Sequence, residues 1–329
     1  MGALITGGAG YLGRHVALAL AQAGHRVTVL DDLSCTNSRF EVAELSHPSI
    51  RCVRGSTNET DWAPLLAEHR MVVHFASVVG VEETIRNPLP TIRNLEGTTR
   101  LAAALTADHI AVFGSSADVY GLHSHLHDRS MQEDDLQVYE HAGVHRWVYS
   151  RVKGLEEILL SDSAARTMSL RFFNCFGPNM DFPNPKRVVP QFVGQVLAGK
   201  PLQVSGDGRQ TRTLCYFQDL VDGIVMALRF LDDRPAGYAS TVNLGGTETM
   251  TVLEIAHRVV EAALEVGLID TPLPIETHAA LYSREFDDTW NRVPDLTRAR
   301  ELFGYEPKVP VHAGLRRTLE YHLSEVLQG

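Results

Sequence analysis

The chain is poor in the features that mark several classes of protein. Its four cysteines, Cys35, Cys52, Cys175 and Cys215, lie far apart and form no C-x-x-C pair, which favours reduced thiols over a disulfide framework. No run of about 18 apolar residues occurs, so we expect no membrane-spanning helix. Acidic residues outnumber basic ones, 40 to 30, and a net charge of −10 without a basic stripe argues against a nucleic-acid partner.

The sequence also leaves little room for a signal peptide, because an apolar run begins at Ala3. Together with the reduced thiols, this indicates a cytoplasmic protein. The composition that remains, 44% hydrophobic and 21% charged over 329 residues, suits a globular chain of one large or two modest domains.

Short apolar runs alternate with helical patterns through the first half of the chain. Strands are predicted at 3–6, 26–30, 71–75, 110–114 and 168–172. Helices are predicted between them, at 11–22, 91–105 and 147–160. Such alternation predicts an α/β fold of the Rossmann type, a doubly wound parallel sheet with helices on both faces.

The pattern changes after Gly177-Pro178, where prolines begin to separate short elements. The run at 214–231 then looks like a return to the first domain. We therefore predict a Rossmann domain of residues 1–176, with about 213–246 returning to it. Residues 177–212 and 247–329 would form a smaller, discontinuous C-terminal α/β domain.

A glycine motif follows the first predicted strand and opens the next helix. Gly7, Gly10 and Gly13 are spaced as G-x-x-G-x-x-G, and without side chains their backbone N–H groups can approach a diphosphate. Asp31 ends the second predicted strand, 18 residues beyond Gly13, where a carboxylate accepts hydrogen bonds from a ribose hydroxyl. Asp31 and Asp32 would repel a 2′-phosphate, so the sequence predicts NAD rather than NADP.

A Tyr-x-x-x-Lys pair supplies candidate chemistry beside a nicotinamide ring. Tyr149 and Lys153 are one helical turn apart, so their side chains share a face. A free tyrosine has a pKa near ~10, and the ammonium and the positive ring are expected to favour the phenolate. Tyr149 would then act as a general base, and Lys153 would also hold the nicotinamide ribose. A hydroxyl at Ser115 or Ser116 can share the proton, and Asp118 offers a carboxylate to the substrate.

These motifs, in this order, resemble the extended short-chain dehydrogenase/reductases that act on nucleotide sugars. The resemblance covers nearly the whole chain. It is carried by the segments 6–13, 74–76, 94–98, 115–121, 149–153, 171–178, 206–212 and 292–295. It implies a homodimer joined by a four-helix bundle, which here would use the predicted helices 91–105 and 147–160.

The same resemblance implies which residues hold the ligands. NAD would be contacted by the glycine loop, the strand ends and the catalytic pair, namely Gly7, Gly10, Tyr11, Leu12, Gly13, Asp31, Asp32, Ser56, Thr57, Phe75, Ala76, Ser77, Asn94, Tyr149 and Lys153. A UDP-sugar would be held in the second domain and at its border by Arg86, Asn174, Arg187, Val188, Arg212 and Arg292. No metal is expected, because His123, His125 and His127 alternate in a loop rather than converge from a fixed frame.

Within the family, the segments 146–150 and 84–89 resemble UDP-glucuronate decarboxylases, and the segments 186–189 and 210–212 resemble UDP-xylose synthases. Those enzymes carry Thr-Ser-Glu where this chain has Ser116-Ala117-Asp118. The implied reaction oxidises the sugar at C4, loses carbon dioxide from the β-keto acid and optionally returns the hydride, giving UDP-xylose, UDP-4-keto-pentose or both. Ser116 would stabilise the enolate oxygen, and Asp118 would place water or handle the C5 proton.

Two other functions stay open. A nucleotide-sugar 4-epimerase needs the same oxidation but no acid at Asp118, and a non-catalytic NAD-binding regulator would need neither Tyr149 nor Lys153. A sugar 4,6-dehydratase is disfavoured, because Ala117 cannot donate a proton to a leaving hydroxyl. Substituting Asp118→Asn would leave an epimerase active and cripple a decarboxylase that uses this acid.

Overall fold

A computed structural model describes residues 1–35, 37–78, 81–182, 187–278 and 290–328. In chain order its strands are β1 (Gly2–Thr6), β2 (Arg26–Asp31), β3 (Ile50–Arg54), β4 (Met71–His74), β5 (Ile110–Ser116), β6 (Arg166–Phe172), β7 (Cys175–Phe176), β8 (Leu202–Ser205), β9 (Thr211–Thr213), β10 (Cys215–Tyr216), β11 (Ala239–Leu244), β12 (Thr249–Thr251), β13 (Ile275–His278) and β14 (Asn291–Arg292). Its helices are α1 (Tyr11–Gln22), α2 (Trp62–Glu68), α3 (Val81–Arg86), α4 (Leu89–Ala104), α5 (His123–Leu126), α6 (Val148–Ser161), α7 (Val188–Leu197), α8 (Phe217–Asp232), α9 (Val252–Glu265), α10 (Thr297–Phe303) and α11 (Val311–Gln328).

The main sheet has seven strands in the order β11-β6-β5-β4-β1-β2-β3, and every neighbouring pair is parallel. This confirms the predicted doubly wound Rossmann sheet. The sequence patterns did not predict β3, which lies at the edge of the sheet and has exposed arginines at Arg51 and Arg54. A half-exposed edge strand carries no continuous apolar run, which is the signal that identified the buried strands.

Alternate residues of the main strands face two separate apolar layers. Ile5 and Val73 lie in one layer with helices α1 and α8, whereas Leu4 and Val72 lie in the other with α2, α4 and α6. Because side chains alternate across a strand, each strand contributes to both layers. Helices on both faces explain why the strands read as nearly continuous apolar runs.

A third apolar cluster lies apart from these layers. It joins α7, α9 and α11 with β8, through buried residues such as Phe192, Val259, Leu315 and Val204. Leu296 and Ala299, around the start of α10, instead pack with the main sheet, although the sequence division places them in the second domain. The assignment of residues 1–176 and about 213–246 to one domain, and of the remainder to another, stays a prediction.

The two helices proposed for a subunit interface begin and end close to their predicted bounds. Helix α4 begins at Leu89 rather than residue 91, because Pro90 fits the first turn of a helix. Residues His145–Trp147 form a short 3-10 turn before α6. The two helices pack against each other. Within the described ranges, no helix is both long and apolar enough to cross a membrane.

Candidate active site

The glycine loop leaves β1 at the carboxyl edge of the sheet and packs on the loop after β4. Gly7 has a φ of +66°, and a Cβ there would lie 2.5 Å from the backbone nitrogen of Ala76. A Cβ at Gly13 would lie 2.5 Å from the carbonyl oxygen of Gly7. Both positions therefore require glycine, because backbone occupies the space of a side chain.

The N-terminus of α1 is left open for an anion. Gly10 is the N-cap residue, no side chain caps the helix, and its first turn holds no acidic residue. A Cβ on Gly10 would meet only the Gly7 oxygen at 3.2 Å and the Ser38 hydroxyl at 3.9 Å within 4 Å. Uncapped N–H groups at a helix N-terminus bind phosphate, so Gly10, Tyr11, Leu12 and Gly13 fit the diphosphate of a dinucleotide.

Asp31, at the end of β2, joins the strand to the glycine loop. Its Oδ2 accepts a hydrogen bond from the Ala9 N–H at 3.0 Å and its Oδ1 accepts one from the Leu33 N–H at 2.9 Å. Burial raises the pKa of this carboxyl, whereas the two backbone donors lower it. Each carboxylate oxygen accepts more than one hydrogen bond, so a ribose hydroxyl still fits. Asp32 is exposed, and its Oδ1 accepts from the Ser34 N–H at 2.9 Å.

Asn94 of α4 holds the loop after β4. Its Oδ1 accepts from the Val78 N–H at 3.0 Å, and its Nδ2 donates to the Ser77 hydroxyl at 2.9 Å. Phe75 and Ala76, in the same loop, lie against the position where Gly7 would carry a side chain. The structure thus brings these predicted cofactor residues together at the edge of β1 and β4.

Ser56 and Thr57 lie after β3, near α4. The Ser56 hydroxyl accepts from the Asn58 N–H at 3.3 Å, and the Thr57 side chain packs so closely on Gly97 that a Cβ there would collide with it. Their predicted contact with NAD stays a prediction.

Tyr149 and Lys153 lie on α6, facing the end of β5. The Lys153 ammonium is 4.5 Å from the centroid of the Phe113 ring and 5.9 Å from that of Tyr149. Ser116 forms a side-chain hydrogen bond with Tyr149. Ser115 instead donates to Glu157 Oε1 at 2.5 Å. Of the two serines that the sequence left open, the geometry therefore favours Ser116 as the partner of Tyr149.

The pKa of Tyr149 is raised above its ordinary value, whereas the sequence led us to expect that Lys153 would lower it. Burial is the largest cause, followed by the negative charges of Asp118 and Glu156. Arg187 and the hydrogen bond with Ser116 lower the pKa, by less. Burial and two carboxylates, which no local pattern revealed, here outweigh the groups that favour the phenolate, and the expected effect of the nicotinamide ring stays a prediction.

Asp118 lies in the 3-10 turn after Ser116 and is held by arginines from two distant segments. Its Oδ1 accepts from Arg292 Nη2 at 2.6 Å and from Arg146 Nη2 at 3.2 Å. Burial alone would raise the pKa of Asp118, but the charges of Arg292 and Arg146 outweigh it and lower the pKa to about 2. Asp118 is therefore ionised at neutral pH.

Arg146 is the buried member of this group. Its side chain is 3% exposed and its guanidinium lies 4.7 Å from the Trp147 ring. Its Nε and Nη1 atoms are buried without a hydrogen-bond partner among the residues that the structure describes. A buried guanidinium whose N–H groups lack partners is costly unless a ligand accepts hydrogen bonds from them.

Arg212 and Arg292, both predicted to hold the substrate diphosphate, are neighbours in a three-stranded sheet. They are register partners on the parallel strands β9 and β14. Arg212 is buried and its Nη1 donates to the Thr211 carbonyl at 2.8 Å. Asn174, with a φ of +26°, donates to the Thr213 carbonyl at 3.2 Å. These three predicted substrate residues thus meet around β9.

The other predicted substrate residues lie elsewhere. Arg187 and Val188 are at the start of α7, and Arg187 Nη1 is paired with Asp181 at 2.6 Å. The charge of Arg187 lowers the pKa of Tyr149, which places it near the catalytic pair. Arg86 ends α3 and is exposed. A substrate contact by Arg86 stays a prediction.

Two histidines of the tract, His123 and His127, contact neighbouring side chains. His123 Nε2 lies 2.9 Å from Asp135 Oδ2, and the His123 and His127 ring centroids are 4.8 Å apart. Among the described residues, no group of three or more histidine, cysteine, aspartate or glutamate side chains is arranged to hold a metal. None of the four cysteines, all of which lie in the described ranges, forms a disulfide, and burial raises the pKa of Cys175 to about 12.

Two residues of this site had no predicted role. Arg146 belongs to a segment that carried the family resemblance, but its pairing with Asp118 joins residues 28 apart in sequence. Glu156 lies one helical turn after Lys153, with its Oε2 3.1 Å from the Lys153 ammonium. The i,i+3 spacing is the sequence signal that would have found Glu156.

A glycine-rich loop on a Rossmann sheet, together with a Tyr-x-x-x-Lys pair on α6 that faces the end of β5, defines an NAD-dependent extended short-chain dehydrogenase/reductase. The chain belongs to the NAD dependent epimerase/dehydratase family, whose model matches residues 3–245. Its cofactor is NAD, and it is an enzyme of a family that acts on nucleotide sugars.

Similar proteins of known name fall into two groups. UDP-N-acetyl-alpha-D-glucosaminuronate decarboxylase of Bacillus cytotoxicus is 30% identical over 97% of this chain and 96% of its own length. UDP-glucuronic acid decarboxylase 1 of Danio rerio is 31% identical over 98% of this chain and 73% of its own length. Among solved structures, UDP-glucose-4-epimerase of Stenotrophomonas maltophila with bound NAD is 26% identical, covers 100% of both chains and has a TM-score of 0.83. UDP-N-acetylglucosamine 4-epimerase of Methanobrevibacter ruminantium has a TM-score of 0.84 at 20% identity, over 98% of both chains.

Proposed function

We propose that this protein is an NAD-dependent decarboxylase of a UDP-uronate, with UDP-glucuronate as the first candidate substrate. The observation that carries this proposal is the buried group of Arg146, Asp118 and Arg292 beside Ser116 and Tyr149. The Nε and Nη1 donors of Arg146 are buried without a hydrogen-bond partner among the described residues, which is costly. The carboxylate of a sugar acid would accept hydrogen bonds from these donors, whereas a neutral hexose has no carboxylate to offer.

Tyr149 would act as the base of the oxidation. It removes the proton of the sugar 4-hydroxyl, and Ser116, to which it is hydrogen-bonded, donates to the same oxygen. When bound, NAD supplies the hydride acceptor and a positively charged ring. The 4-ketone of the sugar lies β to its carboxylate, so the C5–carboxylate bond breaks and its electrons pass into the carbonyl while carbon dioxide leaves. Ser116 then stabilises the enolate oxygen, and a proton returns to C5.

Asp118 would serve as a fixed charge rather than as an acid. Its pKa of about 2, set by Arg292 and Arg146 against burial, leaves no proton to donate near neutral pH. The carboxylate holds both guanidinium groups in place, and it can orient the water that gives C5 its proton. The product would be UDP-xylose or UDP-4-keto-pentose, according to whether the ketone is reduced before release.

The relatives add support from outside the structure. Two similar proteins are named as decarboxylases of UDP-sugars that carry a carboxylate. A 4-epimerase of nucleotide sugars is the second candidate, favoured by the 26% identical epimerase of known structure and by the Tyr149–Ser116 pair, which that reaction also needs. In either case Arg212, Asn174 and Arg187 would hold the UDP group, in keeping with the affinity of arginine for phosphate.

The experiment that tests this function is mass spectrometry of the protein incubated with NAD⁺ and one nucleotide sugar at a time. UDP-glucuronate, UDP-N-acetylglucosaminuronate and UDP-glucose serve as the three probes. Loss of carbon dioxide from an acidic sugar supports the decarboxylase, and the ratio of keto to reduced product measures how often the ketone is reduced. An unchanged mass with separable isomers would replace this function with epimerisation, and no change by either method would reject both.

We also propose a homodimer through a four-helix bundle of α4 and α6 from each subunit. Leu89, Ile92, Leu155 and Ile158 on these packed helices are 63, 42, 49 and 63% exposed. Exposed apolar side chains on two helices that pack against each other favour burial against a second copy. We expect Ile158→Glu to sediment as a monomer, whereas Leu126→Glu, at a leucine that is 61% exposed on α5, should sediment as the wild type does. A monomeric wild type would contradict this proposal.

A further inference from the structure

Glu156 is a buried carboxylate that the proposed reaction does not use. Its side chain is fully buried, and its Oε2 lies 3.1 Å from the ammonium of Lys153, which is itself only 2% exposed. Taking both charges out of water is costly, and removing one partner would leave the other uncompensated. A buried ion pair beside the reacting groups is therefore expected to have a functional role.

A directed chain of hydrogen bonds fixes Glu156 from the other side. The Thr98 hydroxyl donates to Glu156 Oε1 at 2.7 Å and lies 3.0 Å from His74 Nε2. His74 Nδ1 in turn lies 2.6 Å from the Thr6 hydroxyl on β1. Because the Thr98 proton goes to Glu156, Thr98 accepts from His74 Nε2–H; if His74 is neutral, its Nδ1 accepts from the Thr6 hydroxyl.

The protonation state of His74 sets the direction of this chain. His74 is neutral near pH 7, because burial, followed by the charge of Lys153, lowers its pKa to about 3. Glu156 must accept at Oε1, which suits the ionised carboxylate facing the Lys153 ammonium. The sheet therefore holds Glu156 as a fixed negative charge one helical turn from Lys153.

We propose that Glu156 is a positioning residue that clamps Lys153 and compensates its charge, and that it thereby sets the pH range over which Tyr149 can act as a base. This inference rests on the role of Tyr149 in the proposed function. Lys153 alone would favour the Tyr149 phenolate, and a second, negative charge on the same helix offsets that effect.

Other charged groups also face Tyr149, and each comes from a different element. Asp118, in the turn after β5, and Arg187, before α7, act on it directly. Arg146 and Arg292 stand behind Asp118, and His74 on β4 is neutral. All of these groups stay in place when Glu156 is changed, so the effect of Glu156 can be measured against a constant background.

Glu157, the next residue on α6, is a matched control. It is also buried, but it is paired with Arg171, whose Nε and Nη2 donate to its two oxygens at 2.9 and 2.7 Å. Glu157→Gln breaks a buried ion pair on the same helix without touching Lys153. A general loss of packing or stability would therefore follow both substitutions, whereas a change at Tyr149 is expected from Glu156→Gln alone.

The test is a pH titration of the Tyr149 phenolate by absorbance in the NAD⁺-bound protein, with the Tyr149→Phe spectrum subtracted. Removing the negative charge in Glu156→Gln is expected to lower the midpoint by about 1 pH unit. Glu157→Gln should leave the midpoint unchanged. The acidic limb of the kcat/KM profile should move down in parallel, on whichever nucleotide sugar is turned over.

A rise of the midpoint in Glu156→Gln, or equal midpoints in the two variants, would overturn the inference. If Glu156→Gln does not fold, Glu156→Asp serves in its place: it withdraws the charge by one methylene, so a smaller downward shift is expected and no shift would overturn the inference. The titration needs no substrate. It therefore tests the effect of Glu156 on Tyr149 even if mass spectrometry shows that the protein is not a decarboxylase.

Discussion

The two halves of the site are built in different ways. The cofactor half is made of backbone: Gly7 and Gly13 let backbone segments pack closely, and Gly10 leaves the start of α1 uncapped for a diphosphate. The substrate half is made of side chains, and Asp118 meets Arg146 and Arg292 across 28 and 174 residues of sequence. The cofactor half depends on the absence of side chains in one short segment. The substrate half depends on how the fold brings together charged residues that are distant in sequence.

The reacting group between the two halves should show the largest effect. Tyr149→Phe removes the base and is expected to lower kcat by about 10³-fold, since general-base groups contribute roughly 10²–10⁴. NAD⁺ affinity should change little, because the glycine loop is untouched. Turnover assays with calorimetric titration of NAD⁺ separate the two effects, and a variant that keeps a tenth of wild-type kcat would contradict the assigned role.

The backbone half should be broken by a single methyl group. Gly7→Ala places a Cβ 2.5 Å from the Ala76 nitrogen at a φ of +66°, so we expect NAD⁺ affinity to fall about 100-fold or the fold to lose about 3 kcal/mol. Gly24→Ala has the same kind of strain, with a φ of +87°, but nothing within 4 Å. Titration with NAD⁺ and thermal unfolding of both variants separate the collision with Ala76 from the backbone strain that both variants share. Equal losses of affinity and stability in the two variants would mean that strain alone matters.

The side-chain half should be broken at its buried arginine. Arg146→Met is expected to weaken UDP-glucuronate binding roughly 10- to 100-fold, because a charge-assisted contact is lost. Binding of UDP should change less than twofold. Arg151→Met, which removes an arginine stacked 5.3 Å from Tyr139 instead, is the control. Calorimetric titration with UDP and with UDP-glucuronate measures both affinities. An equal loss of affinity for the two ligands would contradict the proposed contact between Arg146 and the sugar carboxylate.

The smallest effect concerns stability against pH. The folded-state pKa of Asp118 is about 2, set by Arg292 and Arg146, and thus lies below the ordinary value of 3.8. Its contribution is therefore complete above about pH 4 and is lost as the pH falls from about 4 to 2, amounting to about 2 kcal/mol. Urea unfolding between pH 3 and 7 should show wild type and Asp118→Asn converging at the acidic end. Asp108→Asn, at an exposed position, should show no such convergence, and a constant gap for Asp118→Asn would contradict the pairing.

Sequence patterns anticipated more of the fold than of the site. They located five strands of the main sheet, but neither of its two edge strands, β3 and β11. They named Tyr149, Lys153, Ser116 and Asp118 as candidates, and these stay proposals that the geometry supports. They left Ser115 and Ser116 as alternatives, which the structure separated through the bond from Ser115 to Glu157 and the bond between Ser116 and Tyr149.

By itself, the sequence determined the features that depend on near neighbours: the parallel sheet, the glycine cradle, and one helical turn carrying Tyr149 and Lys153. Spacing settles these because a helix or a strand repeats over a few residues. Only the tertiary structure decided which charges surround Tyr149, and with them the raised pKa of its phenol, the ionised state of Asp118 and the clamp of Glu156 on Lys153. Burial and Coulomb interactions act through space, so their outcome depends on partners that the order of residues does not reveal.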